Sequence, residues 1–325
     1  MKYFNSVSIP CYKGIRQLNI DKFSSVNIIT GPNGSGKTTL LHSLDILSNP
    51  ADFSHYTSVS GQDLISFSNS FDKREPNPRT KISGTILNQT YTVEISSPLP
   101  LTKDAFLGTH SFTYPKNGEQ KQVTTSTRYC YDESPAPVKN PLLRFRSVSA
   151  NSRPPCLKKI KEDEAISRKV ISFLSLYDEE IVGFHTDDFQ EFYICHQTYG
   201  ALPATFFSDG IQFFLKIAEA FSNFSDGVLA IDGFESQFAK NTIPEVVNFV
   251  YQLAKERQIQ LFLTTQSAEL IDEWLDLLHF YNELDKLCII RLRSDKNSTT
   301  CQLTEGKRAY ELRMERQTDF RDENK

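Results

Sequence analysis

Short apolar runs separated by turn residues occupy the first thirty positions of the chain. The runs over 4–9, 15–20 and 26–30 predict three strands in an antiparallel meander. From Lys37 the apolar spacing becomes helical, with Leu40, Leu41 and Leu44 on one face, and an Asn-Pro pair ends the pattern at Pro50. The sequence therefore predicts a buried strand that leads through a glycine-rich turn into a helix.

The helical period disappears between 51 and 155, where serine, threonine, tyrosine and proline dominate. Alternating stretches over 81–87, 91–95 and 111–114 predict strands. The Asn117-Gly118 pair predicts a hairpin that leads into a strand over 120–131, because Asn-Gly accepts positive φ angles. We therefore expect a β-rich insertion with loops.

The second half of the chain alternates between strands and helices. Helices are predicted over 164–176, after Ser208, over 243–256 and from Ser267 to about 278. Strands are predicted over 181–185, 191–196, 227–232, 260–263, 287–292 and 300–303, with a polar tail from 308. The chain is thus predicted to be an α/β protein with a mixed sheet, whose core consists of residues 1–50 and 161–325 on either side of an insertion over 51–160.

Composition narrows the functional classes. The chain has 325 residues, of which 39% are hydrophobic and 23% charged, and its formal net charge is −4. This charge argues against a globally basic nucleic-acid binder but permits a local basic patch. Such a patch is offered by the stretch from Arg144 to Lys161, which could contact phosphates or simply be a solvated face.

Cellular location follows from what the sequence lacks. No apolar run approaches the roughly 20 residues of a membrane helix, and the N-terminus has no signal-peptide pattern. The six cysteines are scattered without C-x-x-C pairs, which indicates reduced thiols. We expect a cytoplasmic protein that has no membrane partner.

The glycine-rich turn carries the strongest chemical signal. Residues 31–38 fit G-x-x-x-x-G-K-[ST] at every fixed position. Its glycines allow successive N–H groups to turn inward around an anion, and the helix that begins at Lys37 directs its positive dipole end at the same group. Lys37 would contact the β- and γ-phosphates, and the Thr38 hydroxyl would be a Mg²⁺ ligand. The stretch predicts a site for ATP and Mg²⁺.

Two further stretches could complete a nucleotide site. Ser208, Asp209 and Gly210 precede an amphipathic helix, so they could form a second phosphate-binding helix end or an ordinary N-cap, and the residues alone do not separate these alternatives. The apolar run over 227–232 ends in Asp232, as expected of a buried strand that presents a Mg²⁺-binding carboxylate.

With these segments placed, the chain resembles the ABC-type ATPase heads of the RecF, SMC and OLD superfamily. Within it, the chain is most similar to prokaryotic AAA-type ATP-binding proteins, several of which belong to antiphage defence systems such as Septu and PARIS. The resemblance covers residues 12–41 and 201–274, but not 51–160. It implies an ABC-ATPase head with an N-terminal antiparallel meander and a β-rich insertion.

The resemblance also implies a role for each motif. Ser208 and Gly210 stand at the signature motif, Asp232 at the Walker B aspartate, and 264–267 at the switch segment. The Walker A motif would bind the nucleotide through Gly31, Pro32, Asn33, Gly34, Ser35, Gly36, Lys37, Thr38 and Thr39.

Two positions depart from the family pattern. Gly233 replaces the glutamate that usually follows the Walker B aspartate, and Gln266 replaces a histidine of the switch segment. Glycine can neither accept a proton nor orient water, and loss of a positioned base typically slows a reaction 10²- to 10⁴-fold. Glu235 and Gln266 are the remaining candidates for catalytic residues, together with Lys37, so we expect slow hydrolysis.

The resemblance finally implies function and partners. Heads of this superfamily close in pairs around ATP, so a homodimer or higher homo-oligomer is expected, with a separate effector protein such as a nuclease. The leading hypothesis is an ATP-driven assembly module. The alternative is a RecF-like DNA-dependent ATPase of repair and recombination, with nucleic acid as a partner that the net charge does not support. A transporter subunit is disfavoured because no membrane segment exists and 208–210 departs from the transporter signature.

Overall fold

The structure, a computed structural model, describes residues 2–49, 79–96, 106–116, 119–129, 142–187, 191–295, 298–316 and 320. The chain forms two compact units. One consists of Lys2–Phe145 together with Asp285–Lys325 and is called the loop unit, because it contains the glycine-rich turn over 31–38. The other, the acid unit, is Arg146–Leu284.

A six-stranded sheet with the order β2-β1-β4-β5-β6-β7 dominates the loop unit. It is built from β1 (Phe4–Tyr12), β2 (Ile15–Ile20), β4 (Arg79–Ile86), β5 (Gln89–Ser96), β6 (Phe106–Lys116) and β7 (Glu119–Tyr129). All of its pairings are antiparallel. The strands predicted for the 51–160 segment therefore continue the sheet that the first two strands begin.

The loop unit also contains the strand that leads into the glycine-rich turn. This strand, β3 (Val26–Thr30), pairs in parallel with β14 (Leu287–Ser294), which pairs in turn with β15 (Thr299–Glu305). All five residues of β3 are buried, as expected of a central parallel strand. The helix after the turn, α1 (Lys37–Ser48), packs on the large sheet, and an added Cβ at Gly84 would lie only 2.8 Å from Leu47 Cδ1.

Sequence patterns placed β2 and β3 correctly, whereas β1 runs past the predicted 4–9 to Tyr12, and not all of the predicted pairings form. β1 and β2 form the predicted antiparallel hairpin, whereas β3 leaves the meander for another sheet because it is buried on both faces. The predicted hairpin after β6 is confirmed by the pairing of Lys116 with Glu119, while residues 117–118 lie outside the described ones. The tail predicted from 308 is polar as expected and begins as a helix, since α7 (Gly306–Arg316) buries only Ala309 among its described side chains.

The acid unit contains two sets of three neighbouring strands and five of the described α-helices. In one sheet β12 (Gly227–Asp232) lies between β13 (Ile259–Thr264) and β8 (Arg144–Ser149), whose last four residues belong to this unit. In the other, β10 (Phe192–His196) lies between β9 (Ile181–Thr186) and β11 (Gly200–Leu202). β12 and β13 are parallel and buried almost throughout, so their carboxyl ends lie side by side.

The described residues of the acid unit include five α-helices: α2 (Leu157–Glu162), α3 (Glu164–Leu174), α4 (Asp209–Phe221), α5 (Ile243–Glu256) and α6 (Ala268–Phe280). Aromatic rings join three of them. Phe173 of α3 stacks on Phe214 of α4 at 3.6 Å, and Phe214 meets Phe249 of α5 edge-on at 4.7 Å. Such contacts fix the helix that begins after Ser208 in a rigid core.

Sequence reasoning missed β8, α2 and β11. The first two lie in the basic stretch, where charged residues obscured the few buried apolar positions, such as Val148 and Ile160. Within the part of the chain that the structure describes, no helix is both long and apolar enough to cross a membrane. The five described cysteines are free.

Candidate nucleotide site

The glycine-rich turn has the backbone of an anion-binding loop. Gly31, Gly34 and Gly36 adopt φ angles of +138°, +78° and +98°. These angles are rare for residues with a Cβ. The three glycines therefore adopt the kind of backbone angle predicted for them, while anion binding stays a prediction.

Gly31 is also required by space. A Cβ at this position would lie 2.3 Å from the Leu292 carbonyl oxygen and 2.9 Å from Ser35 Oγ. Because Leu292 belongs to the strand paired with β3, the loop starts in direct contact with the sheet. A larger residue would displace the first turn of the loop.

Lys37 is oriented by the loop itself. Its Nζ donates hydrogen bonds to the carbonyl oxygens of Gly31 at 2.8 Å and Pro32 at 3.0 Å. The N-cap of α1 is Gly36, which has no side chain to accept from the first turn of the helix. The ammonium group thus folds back over the loop, and no side chain caps the amides at the start of α1.

Buried polar atoms at the loop test whether it suits a polyphosphate. Ser35 Oγ and Thr30 Oγ1 are buried and have no hydrogen-bond partner among the described residues. The Thr38 side chain, by contrast, is exposed at the start of α1. A loop with positive-φ glycines, an uncapped helix end and hydroxyls in need of partners fits a polyphosphate with its metal ion.

The acid unit holds Asp232 at the end of β12. Asp232 Oδ1 accepts a hydrogen bond of 2.5 Å from Thr264 Oγ1, at the end of the neighbouring strand. Thr264 Oγ1 also accepts from the Gly233 amide at 2.8 Å, and the Thr264 carbonyl accepts from the Phe234 amide at 3.1 Å. Thr264 is 2% exposed, so this contact joins the two strand ends rigidly.

The glycine that follows Asp232 has its own structural reason. Gly233 adopts φ +67°, in the left-handed region where a side chain costs roughly 1–2 kcal/mol. Space is not limiting, since an added Cβ would lie 3.5 Å from Ser236 Oγ. The departure from the family pattern is therefore coupled to a backbone conformation that disfavours glutamate.

Glu235 lies beside the switch segment. Its Oε1 accepts a hydrogen bond of 2.8 Å from the backbone amide of Gln266. Its Oε2 is buried without a hydrogen-bond partner among the described residues. The two candidate catalytic residues are thus in contact, and they share a unit with Asp232. An unsatisfied carboxylate oxygen costs free energy unless water or a ligand binds it.

Comparison with known proteins shows a family for the chain. Residues 1–199 match the AAA_15 family, described as an AAA ATPase domain. The chain belongs to this AAA ATPase family. No curated protein sequence matches it significantly.

Solved structures show the fold of the ATPase. The chain is similar to an SMC head bound to the C-winged-helix domain of ScpA, with 15% sequence identity and a TM-score of 0.53. The match covers 95% of this chain and 100% of that one. It is also similar to the Pyrococcus furiosus SMC head with an extended coiled coil bound to the C-terminal domain of ScpA, with 13% identity, a TM-score of 0.54 and coverage of 98% and 100%. The predicted ABC-type head fold is confirmed.

The residues predicted to form the signature motif lie at the start of α4. Ser208 is its N-cap, and its Oγ accepts from the Ile211 amide at 3.5 Å. An added Cβ at Gly210 would lie 2.8 Å from the Gln237 carbonyl oxygen. An ordinary cap and a close backbone contact thus account for both residues in this structure, and the phosphate contact stays a prediction.

The helix after the switch segment is stabilised at its first turn. Ser267 caps α6 by accepting from the Leu270 amide at 3.1 Å. The Lys240 ammonium, 2.7 Å from Glu269, lowers the pKa of that carboxyl to about 2. Glu269 is therefore ionised at neutral pH. Its negative charge lies in the first turn of α6 and stabilises the helix by interacting with the positive end of the helix dipole.

Thr264 is the residue whose role the sequence did not reveal. It was placed in the switch segment, but its hydrogen bond to Asp232 depends on the parallel pairing of β12 with β13. The available signal was a threonine at the end of the strand that follows the Walker B strand. That signal becomes specific only when the two strands are known to be neighbours.

Proposed function

We propose that this ATPase binds ATP at residues 31–39 and uses the bound nucleotide to pair its heads, with slow hydrolysis. The observation that carries the proposal is the Walker A backbone, in which three glycines adopt positive φ and Lys37 points into the loop. The proposal keeps binding and hydrolysis separate, because the residues for the first are complete and those for the second are not.

Binding would exchange contacts at Lys37. Its Nζ now donates to two loop carbonyls, and phosphate oxygens would be stronger acceptors because charge-assisted hydrogen bonds exceed neutral ones. The amides at the start of α1 would donate to the same phosphates. Thr38 and Asp232 would hold Mg²⁺, which neutralises phosphate charge.

Hydrolysis would depend on Glu235 and Gln266. Glu235 Oε2 could accept a hydrogen bond from water, while Oε1 accepts one from the backbone amide of Gln266 and so holds that residue in place. Gln266 could orient water with its side-chain amide, as glutamine does in small GTPases. Neither residue replaces a base directly after Asp232, so turnover is expected to be well below the median enzyme rate of about 10 s⁻¹.

Head pairing would link nucleotide binding to assembly. ATP held by Lys37 of one copy and by Ser208 and Gly210 of another would stabilise a homodimer or higher homo-oligomer, since a ligand that binds only the assembled state shifts the equilibrium towards it. Slow hydrolysis would prolong that state, as suits a switch or scaffold. The SMC heads of similar fold are bound to another protein, ScpA, which supports a separate protein partner here.

The partner is the least constrained part of the proposal. The resemblance to antiphage proteins suggests a defence complex with a separate effector, such as a nuclease. That step rests on analogy. The alternative, a RecF-like ATPase in DNA repair, predicts multiple turnover stimulated by DNA.

One set of measurements on a single preparation separates these functions. ATP affinity, oligomer mass with and without ATP and Mg²⁺, and turnover with and without DNA are determined together. Tight binding, a larger mass with ATP and slow turnover support the assembly module. Fast turnover that rises with DNA supports the repair ATPase and rejects the scaffold.

A further inference from the structure

The basic stretch forms a cavity within the acid unit. The cavity has a volume of about 230 Å³ and is bordered by β8, the segment after it, α2 and α4. Its lining includes Arg146, Arg153, Lys159 and Lys216 around a single carboxylate, that of Glu219. Four cationic side chains and one acid give the lining a formal excess of three positive charges.

Glu219 organises one side of the cavity. It is 8% exposed, and its carboxylate accepts hydrogen bonds from Arg153 Nη2 at 3.0 Å, Lys159 Nζ at 3.0 Å and the Cys156 amide at 2.8 Å. The acid therefore holds two cations that retain other donors, since guanidinium carries five N–H groups and ammonium three. Arg153 and Lys159 are 71% and 44% exposed, so those donors are accessible.

Backbone carbonyls orient the other two cations. Lys216 Nζ donates to Ala150 O at 2.7 Å and Ser152 O at 2.8 Å. Arg146 donates to Ala220 O at 2.5 Å, at the carboxyl end of α4, and its guanidinium lies 4.6 Å from the Phe224 ring centre. These contacts limit the freedom of both side chains, so little entropy would be lost when an anion binds.

Neutralising Glu219 does not require four cations. One cation balances one carboxylate, and positive charges gathered at a partly enclosed site repel each other unless an anion is present. A cavity of about 230 Å³ is smaller than the roughly 300–1,000 Å³ pockets that hold drug-sized ligands, so it suits an anionic group rather than a whole nucleotide. Arginine beside lysine is the usual combination for phosphate oxygens.

We propose that this cavity is a binding site for a phosphate monoester group, separate from the ATP site. The group could belong to a free nucleotide or to the end of a nucleic-acid strand, since both present the same dianion. Arg153 and Lys159 would contact it from the exposed side, and Arg146 and Lys216 would provide the fixed positive field.

The test uses the full chain carrying Lys37→Ala, because the phosphate loop is also expected to bind phosphates. Calorimetric titration at low salt compares AMP with adenosine, and a 5′-phosphorylated oligonucleotide with its 5′-hydroxyl counterpart. We expect binding that requires the phosphate and weakens as salt rises. Tighter binding of AMP identifies nucleotides as the source, whereas tighter binding of the phosphorylated strand identifies nucleic-acid ends.

Arg153→Gln tests the site against a matched control, Lys158→Gln. Lys158 lies next to Lys159 on α2, pairs with Glu162 at 3.9 Å and is absent from the cavity lining. We expect Arg153→Gln to weaken phosphate binding about tenfold, the loss of one charge-assisted hydrogen bond, and Lys158→Gln to leave it unchanged. Absent binding in the Lys37→Ala chain, or equal losses in the two variants, would overturn the proposal.

Glu219→Gln gives an effect of opposite sign. Without the carboxylate, Arg153 and Lys159 no longer donate to an internal anion and can donate to the bound phosphate instead. Phosphate affinity should therefore rise several-fold even if the melting temperature falls. A purely structural cluster predicts lower stability without that gain. Because Arg153 is mostly exposed, the Arg153→Gln comparison remains decisive if Glu219→Gln fails to fold.

Discussion

The two loops proposed to take part in the nucleotide chemistry differ in completeness. The phosphate loop has every fixed residue of its motif, and its glycines adopt the backbone angles that the motif requires. The loop after β12 keeps Asp232 but has Gly233, at φ +67°, where the family has glutamate. The proposal of nucleotide binding with slow hydrolysis rests on this contrast.

Lys37→Ala should have the largest effect. Removing the ammonium deletes the charge directed into the loop, so ATP affinity should fall at least about 100-fold. Nucleotide titration measures the change. Lys22→Ala is the control, since Lys22 pairs with Glu305 at the surface. The ATP affinity of this variant should stay within about twofold of that of the unaltered chain. Equal losses in both variants would remove Lys37 from the binding site.

Gly31→Ala tests the backbone of the same loop. The added methyl would meet the Leu292 carbonyl at φ +138°, and about 2 kcal/mol of strain corresponds to roughly 30-fold weaker ATP binding. Gly14→Ala is the control, because nothing lies within 4 Å of its added Cβ. Unchanged affinity in Gly31→Ala, measured by titration, would show that the loop tolerates rearrangement.

Glu235→Gln tests the less complete loop. Residual hydrolysis should fall about tenfold, because the neutral amide is a poorer acceptor for water, while ATP affinity stays within about twofold. Phosphate release at saturating ATP measures turnover. Glu245→Gln, on the exposed side of α5, should change neither quantity. Unchanged hydrolysis in Glu235→Gln would exclude this residue from the reaction.

Gly233→Glu should have the smallest effect on activity. It restores the family's residue type, but at φ +67° the new side chain is strained, so turnover should stay within about twofold of the original chain. Gly233→Ala separates strain from charge, and both variants should lower the free energy of unfolding by roughly 1 kcal/mol. A large rise in turnover in Gly233→Glu but not in Gly233→Ala would contradict this prediction. It would show that the backbone accommodates the side chain and that the missing glutamate alone limits hydrolysis.

Local pattern was enough to predict the elements that surround each motif. The bounds of β3, β12 and α5 were predicted as the structure has them, because apolar runs dominate the two strands and apolar residues at helical spacing mark the helix. Pairing was harder to predict. Full burial of β3 required a partner, β14, that lies more than 250 residues later in the chain, and no local signal identifies it.

The candidate site shows the same division. Gly31, Lys37 and Asp232 follow from motif spacing, whereas the Thr264 contact to Asp232 depends on strands that are neighbours only after folding. The backbone angle at Gly233 is likewise invisible in the sequence, although the residue itself was recognised as a departure. The basic stretch was expected to face solvent or phosphates, and its cavity depends on Glu219 from a distant helix.

The most direct test measures ATP affinity and steady-state hydrolysis by the unaltered chain in one buffer with Mg²⁺, with and without DNA. We predict saturable ATP binding together with a turnover number far below the median enzyme rate of about 10 s⁻¹, and no stimulation by DNA. A turnover number at or above that median, or one that DNA raises to it, would contradict the separation of binding from hydrolysis.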